Sequence, residues 1–400
     1  MSRPEPTTAP APKRERDPRI DAFRGLALLM IFVDHVPGNP YEYLTIRNLG
    51  FSDAAEAFFI MSGIAAGLAY SGGFARKPFL TAAEPVWKRA WTLYLAHILL
   101  TFWGIAIFAV GAEVFGLPEL LEKNNLSAIF ERPGETLAAL PALLHQIGYV
   151  NILPAYSVLL LATPFAVMLG MRHPWVLAGL SVGLWFVTGL WRLNLPNHPN
   201  PGGWFFNPFA WQILFVAGLL TGIHARKGTR FVPVSRTLFW LALGWLALVL
   251  AWRYAPGVGT FLNHQMAKLG AAGVPFHFVS HDKTFVAVPR MLHALALFYV
   301  LSCLPQVRAH SGLPAAAPLR LLGKHGLLVF SVGTLTSLAL QVLMAAMLDP
   351  EPMAWLVLPV GLAIMLGVAW LAERRKQGAR NAATEIVPQM PPTAPMRVRS

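Results

Sequence analysis

The sequence has little charge and almost no cysteine. Only 13% of its 400 residues are Asp, Glu, Lys or Arg, and 55% are hydrophobic, whereas about a quarter of a soluble domain is charged. This balance excludes an ordinary soluble protein. The one cysteine, Cys303, excludes an internal disulfide and says nothing about the redox compartment.

Long apolar runs take the place of the missing charge. A helix needs about 20 apolar residues to cross a bilayer, and we count ten such runs: 20–36, 54–70, 87–111, 153–170, 174–191, 208–224, 237–254, 285–304, 323–347 and 353–372. They predict an all-α, polytopic integral membrane helix bundle with about ten transmembrane helices in the lipid bilayer. Residues 19–375 are predicted to form this single domain. Residues 1–18 and 376–400, rich in Pro, Ala and charge, are predicted to be disordered cytoplasmic tails.

The basic residues fix a predicted orientation. If both termini are cytoplasmic, 23 of the 32 Lys and Arg fall on the cytoplasmic side and seven on the other, as the positive-inside rule expects. The net charge of +13 is then explained by topology, and no nucleic-acid partner is predicted.

The first run keeps ionisable side chains that a membrane helix usually excludes. Arg24 and His35 are eleven residues apart, so on a helix they lie within about 20° of one face and about 16 Å apart along the axis. Arg binds phosphate well, and His acts as a general base near neutral pH. The pair suits a long substrate, anionic at one end and reactive at the other. Asp34 is a candidate to orient the imidazole or bind an acceptor. The alternative is that Arg24 reaches lipid headgroups and His35 caps the helix.

The motif "DAFRGLALLMIFVDH" resembles the first helix of membrane acyltransferases of the acyltransferase-3 type, and more closely that of the OpgC family. The resemblance continues in five further segments in the same order: "RNLGFSDAAEAFFIMSG", "ILPAYSVLLLATP", "WFFNPFAWQILF", "HDKTFVAVPRMLHALAL" and "LGKHGLLVFSVGT". It implies an enzyme of the bacterial inner membrane that moves an acyl group, typically succinyl, from cytoplasmic acyl-CoA to hydroxyls of a periplasmic glucan. No permanently bound cofactor is implied, since acyl-CoA is a co-substrate.

The resemblance implies that His35 is the catalytic base, with Asp34 beside it, and that Arg24 holds the CoA head group. Arg89 and His325 are further candidates for donor binding. Positive-inside placement alone also explains Arg89, and His325 is equally suited to begin a helix. A transporter of a glycan or small anion, or a non-catalytic scaffold, remains an alternative, although the sequence lacks the internal repeat of many transporters.

Other polar residues are candidates for the acyl or acceptor site. Glu56 is expected to pair with Arg24 or His35 or to cap a helix, as Asp53 is. His97 is assigned equally to packing and to the site. A buried arginine needs a counter-charge, which for Arg290 is either an anionic acyl group or a structural partner, Asp34 or Glu56. The remaining candidates lie near Arg290 on the expected helix face or in the aromatic segment 204–212: Lys283, His293, Asn207, Trp211 and Gln212.

The aromatic segment has two interpretations. An aromatic belt at the membrane interface explains it, and so does a surface on which a sugar stacks. Three histidines lie in the long loop 255–284: His264, His277 and His281. Their spacing matches no strong zinc pattern, so no metal site is predicted.

Overall fold

The computed structural model describes residues 17–385 and is helical throughout its membrane domain. The described residues form sixteen α-helices: α1 (Pro18–Asp34), α2 (Ile46–Leu49), α3 (Ala54–Phe74), α4 (Phe79–Phe115), α5 (Ser127–Glu131), α6 (Pro133–Ala139), α7 (Ile152–Arg172), α8 (Pro174–Trp191), α9 (Pro208–Lys227), α10 (Arg236–Tyr254), α11 (Val258–Ala271), α12 (Val288–Cys303), α13 (Pro305–Gly312), α14 (Ala317–Lys324), α15 (Gly326–Ala345) and α16 (Glu351–Glu385). The predicted all-α class is confirmed for this part of the chain.

Each of the ten predicted runs falls on a helix. Within residues 17–385, eight helices are long and apolar enough to cross a membrane, and α12 with α13, bent by 77°, makes a possible ninth span. The first run forms α1, which has 17 residues and is therefore short for a span. The protein is a polytopic membrane helix bundle.

Four details differ from the expectation or extend it. The segment 112–152, between the third and fourth predicted runs, contains the short helices α5 and α6, and the loop 255–284 contains the unpredicted α11. The ninth run is broken at His325, between α14 and α15. Helix α16 continues to Glu385, past the predicted start of the C-terminal tail, because its Ala, Arg, Gln and Glu residues favour helix. The rest of both predicted tails lies outside the described residues.

The most extensive helix packing joins α3 and α9. Gly63 and Gly67 on α3 face Gly218 and Gly222 on α9, and a Cβ added at Gly63 would lie 2.0 Å from the carbonyl oxygen of Phe215. Two glycines four residues apart on each helix therefore let the backbones touch, as small residues do in membrane bundles.

The long helices alternate in direction, so the bundle has two ends. At one end of the bundle α1 ends and α3, α9 and α12 begin. The starts of α3 and α12 meet there, since Glu56 on α3 contacts Arg290 on α12. We call this the His35 end. At the opposite end α1 begins beside α14 and the start of α15, since Gly25 and Gly323 bring α1 and α14 into backbone contact. We call this the Arg24 end.

Candidate active site

Two acidic and two basic side chains form a buried cluster at the His35 end: Asp53, Glu56, Lys283 and Arg290. Arg290 donates from Nε to Glu56 Oε1 at 2.9 Å and from Nη2 to the same oxygen at 2.6 Å. Its Nη2 also lies 3.3 Å from Asp53 Oδ2, which is bonded to Lys283 as well. The Arg290 and Glu56 side chains are only 12% and 1% exposed. The cluster is thus a closed, charge-balanced network.

The start of α3 explains how two acids come to lie side by side. Asp53 is the N-cap, and its Oδ1 accepts from the backbone N–H of Ala55 at 2.8 Å. Glu56 Oε2 accepts from the backbone N–H of Asp53 at 2.8 Å. This reciprocal capping box confirms the expected capping role of both residues. The second carboxylate oxygen of each residue is free of the capping box: Asp53 Oδ2 bonds Lys283 and Arg290, and Glu56 Oε1 bonds Arg290.

The structure supplies the counter-charge that Arg290 requires. Glu56 pairs with Arg290, not with Arg24 or His35, and Asp53 rather than Asp34 is the second acid. Of the two expectations for Arg290, the structural ion pair with Glu56 is present.

Lys283 reaches the cluster by a route other than the expected one. The prediction that Lys283 shares a helix face with Arg290 is wrong. Helix α12 begins only at Val288, with Pro289 in its first turn, so Lys283 lies in the turn before the helix. Its ammonium still reaches Asp53, and it lies 5.4 Å from the ring centre of Phe205.

His35 directly follows α1 as its C-cap residue. Its ring lies 4.4 Å from that of Tyr149, and its buried Nδ1 has no hydrogen-bond partner. Lys283 and Asp53 are near enough to act on it electrostatically. Asp34 makes no hydrogen bond to His35; its Oδ1 accepts from the hydroxyl of Thr45 at 2.8 Å. The structure therefore brings His35 near the cluster but does not join Asp34 to the imidazole.

His293 lies beside the cluster and is paired with a serine. The Oγ of Ser52 is 2.7 Å from His293 Nδ1, and the Ser52 backbone N–H donates to the same nitrogen at 3.3 Å. Both side chains are buried. His293 thereby holds the turn that leads into Asp53 and Glu56.

The candidates in the aromatic segment pack within the bundle. Asn207 is the N-cap of α9 and also donates from Nδ2 to the carbonyl oxygen of Leu193 at 2.7 Å. Gln212 bonds Ser181 on α8 through both amide atoms. The indole N–H of Trp211 donates to the carbonyl oxygen of Lys283 at 3.1 Å. All three side chains are buried, and Trp211 helps to hold the turn that carries Lys283.

The Arg24 end gathers two of the three donor-binding candidates. Arg24 donates from Nη1 to the carbonyl oxygen of Gly323 at 3.4 Å. His325, two residues later, bonds Glu373 Oε2 through Nε2 at 2.9 Å, and Lys324 pairs with the same carboxylate. The third candidate, Arg89 on α4, lies near Tyr70, close to the end of α3, so it is in the same half of the bundle but on a different pair of helices.

The histidines that remain occupy separate environments. His97 on α4 is fully buried with neither ring nitrogen in hydrogen-bond geometry, although the backbone of Val150 is close. His264 is exposed on α11, and His277 packs against Trp185. Burial, with Arg290 and Arg253 nearby, lowers the pKa of His281 in the loop before α12. Among residues 17–385 no group of three or more His, Cys, Asp or Glu side chains is arranged to hold a metal.

Several residues of the site carry no signal that we read from the sequence. They are ordinary polar residues, and all except Thr45 have partners that are distant in the chain: Thr45 for Asp34, Ser52 for His293, Glu373 for His325, and Tyr149 and Gln341 for His35. Glu373 offered the one usable signal, because an acid near the end of an apolar helix needs a basic partner.

The fold and the site define a class of protein. It is a polytopic membrane bundle in which one helix carries an arginine at one end and a histidine at the other, and the buried charge cluster lies at the histidine end. The OpgC protein family matches residues 16–377 of the chain. The protein therefore belongs to the OpgC family. A comparison with curated proteins finds no match.

Proposed function

We propose that this protein is a membrane acyltransferase that moves a succinyl group from acyl-CoA on the cytoplasmic side of the bacterial inner membrane to hydroxyls of a periplasmic glucan. The OpgC family suggests a glucan-modifying acyltransferase. The observation that carries the proposal is the position of His35. It directly follows α1, beside the buried cluster, while Arg24 lies eleven residues earlier on the same helix.

The spacing of these two groups suits a CoA thioester. About 16 Å of helix axis separates them, and the donor carries its phosphates and its thioester at opposite ends of a long arm. In this proposal Arg24 binds the phosphates, since a guanidinium matches phosphate oxygens with two parallel donors. The exposed basic residues Arg374, Arg375 and Lys376 at the same end add positive potential for a polyanion.

His35 is the general base in this mechanism. Its imidazole takes the proton from a sugar hydroxyl, and the oxygen attacks the carbonyl carbon of the thioester. The ester bond forms, the carbon–sulfur bond breaks, and the CoA thiolate leaves with the proton that His35 returns. No covalent enzyme intermediate is needed.

A pocket at the His35 end supports a carbohydrate acceptor. It is open, holds about 490 Å³, and is lined by Arg192, Asn194, Leu195, Pro196, Gly202, Gly203, Asp282, Thr284 and Phe285. Asp282 and Thr284 flank Lys283 of the buried cluster in the chain. Amide, hydroxyl and charged groups beside an aromatic ring are the contacts that sugars use, and an open pocket admits one unit of a longer chain.

The test is transfer by the purified protein. With succinyl-CoA and glucan, the wild type should release free CoA thiol and form succinylated glucan, detected by mass spectrometry. His35→Ala should lose at least about a hundredfold in rate, the usual contribution of a general base, with unchanged protein level in the membrane. His264→Ala, which removes an exposed imidazole, is the matched control and should transfer normally. Glucan transport by wild-type protein without ester formation would contradict the proposal.

A further inference from the structure

The segment between α4 and α7 returns to the end of α1 and holds four non-glycine residues with positive φ, two of which are connected to His35. Asn124 and Tyr149 adopt φ values of 58° and 69°. L residues rarely occupy this left-handed region, which costs on the order of 1 kcal/mol. The two positions are joined, because the backbone N–H of Gly148 donates to the carbonyl oxygen of Asn124 at 2.8 Å.

Both of these residues are connected to His35, Tyr149 by a direct contact and Asn124 through one other side chain. The ring of Tyr149 lies 4.4 Å from the imidazole at an interplanar angle of 55°. Asn124 donates from Nδ2 to Gln341 Oε1 at 3.3 Å. Gln341, on α15, in turn donates from Nε2 to the backbone carbonyl oxygen of His35. One contact is made with the ring and the other with the backbone of the same residue.

The end of α1 explains why the backbone contact matters. The last carbonyl groups of a helix have no partner within it. Asn39 donates to the carbonyl oxygens of Val33 at 2.9 Å and Val36 at 2.6 Å, which leaves the carbonyl of His35 to Gln341. The ring itself has no hydrogen bond at its buried Nδ1, and it packs against the ring of Tyr149, which restricts its rotation.

We propose that Gln341 and Tyr149 are positioning residues for His35: Gln341 fixes the backbone of the base, and Tyr149 fixes its ring. This rests on the proposed function of His35. A base held in place acts on bound substrate, so loosening it lowers kcat while substrate binding is kept; a misplacement of about 1 Å costs up to about a hundredfold. Strained backbone at Tyr149 agrees with such a role, since strain is retained where a side chain must be placed.

Three variants separate positioning from ordinary packing. Gln341→Met keeps the volume and loses the donor. Tyr149→Gly loses the ring, which packs against the core, but suits the left-handed backbone, so the relief of backbone strain offsets part of the lost packing in the thermal midpoint. Both should lower kcat by about ten- to a hundredfold with unchanged KM for donor and acceptor. Tyr149→Phe, which keeps the ring, should restore most of what Tyr149→Gly loses. Ser337→Ala, one turn before Gln341 and bonded within α15, is the control.

A second measurement does not depend on transfer activity. The rate at which diethyl pyrocarbonate modifies His35, followed by peptide mass spectrometry on the full-length protein, should rise in Gln341→Met and Tyr149→Gly and stay at the wild-type value in Ser337→Ala. The inference would be overturned if Gln341→Met and Tyr149→Gly both kept the wild-type kcat and modification rate. It would also be overturned if kcat fell only in proportion to a lower thermal midpoint. If the wild type transfers no acyl group, the proposed function fails, and the modification rates still decide whether these residues hold His35.

Discussion

The two ends of the bundle use the same kind of charge network in opposite ways. At the His35 end Glu56 and Asp53 are bonded to Arg290 and Lys283, and the charges of this network balance around the buried Glu56. At the Arg24 end Glu373 is bonded to Lys324 and His325, and the three residues that follow it are basic and exposed. The first network is complete without a ligand. The second leaves positive charge available, as the proposed polyanionic donor requires.

Among the variants that test the difference between the two ends, one that disrupts the buried cluster should have the largest effect on stability and transfer. Arg290→Gln leaves Glu56 without its partner in a buried place, which typically costs about 3–5 kcal/mol of stability. We expect a lower thermal midpoint and equal loss of transfer from succinyl-CoA and acetyl-CoA. The double variant Glu56→Gln with Arg290→Gln should recover part of the stability.

Lys268→Gln, an exposed change on α11, serves as the control for that experiment. If Arg290→Gln keeps its stability and loses succinyl transfer alone, Arg290 recognises the carboxylate of the acyl group and the cluster is not closed.

Changing Arg24, at the other end of the bundle, should affect donor binding and leave folding unchanged. Arg24→Lys keeps the charge but loses the planar fork, so the donor KM should rise by about tenfold while kcat changes less, in line with the loss of one charged hydrogen bond. Steady-state kinetics with succinyl-CoA measures both constants. An unchanged donor KM in both Arg24→Lys and Arg24→Ala would remove Arg24 from the donor site.

A variant in the proposed acceptor pocket should have a smaller effect at the His35 end. Thr284→Val keeps the shape and removes a hydroxyl from the pocket wall. One neutral hydrogen bond contributes about 0.5–1.5 kcal/mol, so the acceptor KM should rise by about two- to tenfold with the donor KM unchanged. A higher donor KM would assign the pocket to the donor.

The smallest effect is expected for the network at the Arg24 end. Glu373→Gln removes one partner of Lys324, whose side chain is 33% exposed. Exposed pairs contribute less than about 1 kcal/mol, so the thermal midpoint should change little, and donor binding should strengthen slightly at low salt. A loss of stability as large as that of Arg290→Gln would mean that the two ends do not differ.

The sequence predicts the helices well and the contacts between them poorly. Apolar runs locate every long helix because crossing a membrane demands length and hydrophobicity from each segment alone. The break at His325 escapes this reasoning because it lies beside the close approach of α1 and α14 at Gly323, a contact that the apolar run itself does not reveal. The capping role of Asp53 and Glu56 is local and was predictable.

The partners of the site residues depend on the fold. Arg290 requires a counter-charge, but the sequence alone leaves its acid undecided, because Glu56 lies 234 residues away. Gln341 and Tyr149 meet His35 only after α15 and the segment before α7 come together. A polar residue with a single distant partner has no periodic pattern that reveals it.

Sidedness is the most direct test of the two-ended account. Purified protein is placed in sealed vesicles, its orientation is determined by protease access, and isotopically labelled succinyl-CoA and glucan are supplied on chosen sides. Labelled glucan should form when the donor is on the side of the Arg24 end and the glucan on the side of the His35 end, and the reversed arrangement should give none. Equal labelling with both substrates confined to one side, or labelling in the reversed arrangement, would contradict the account.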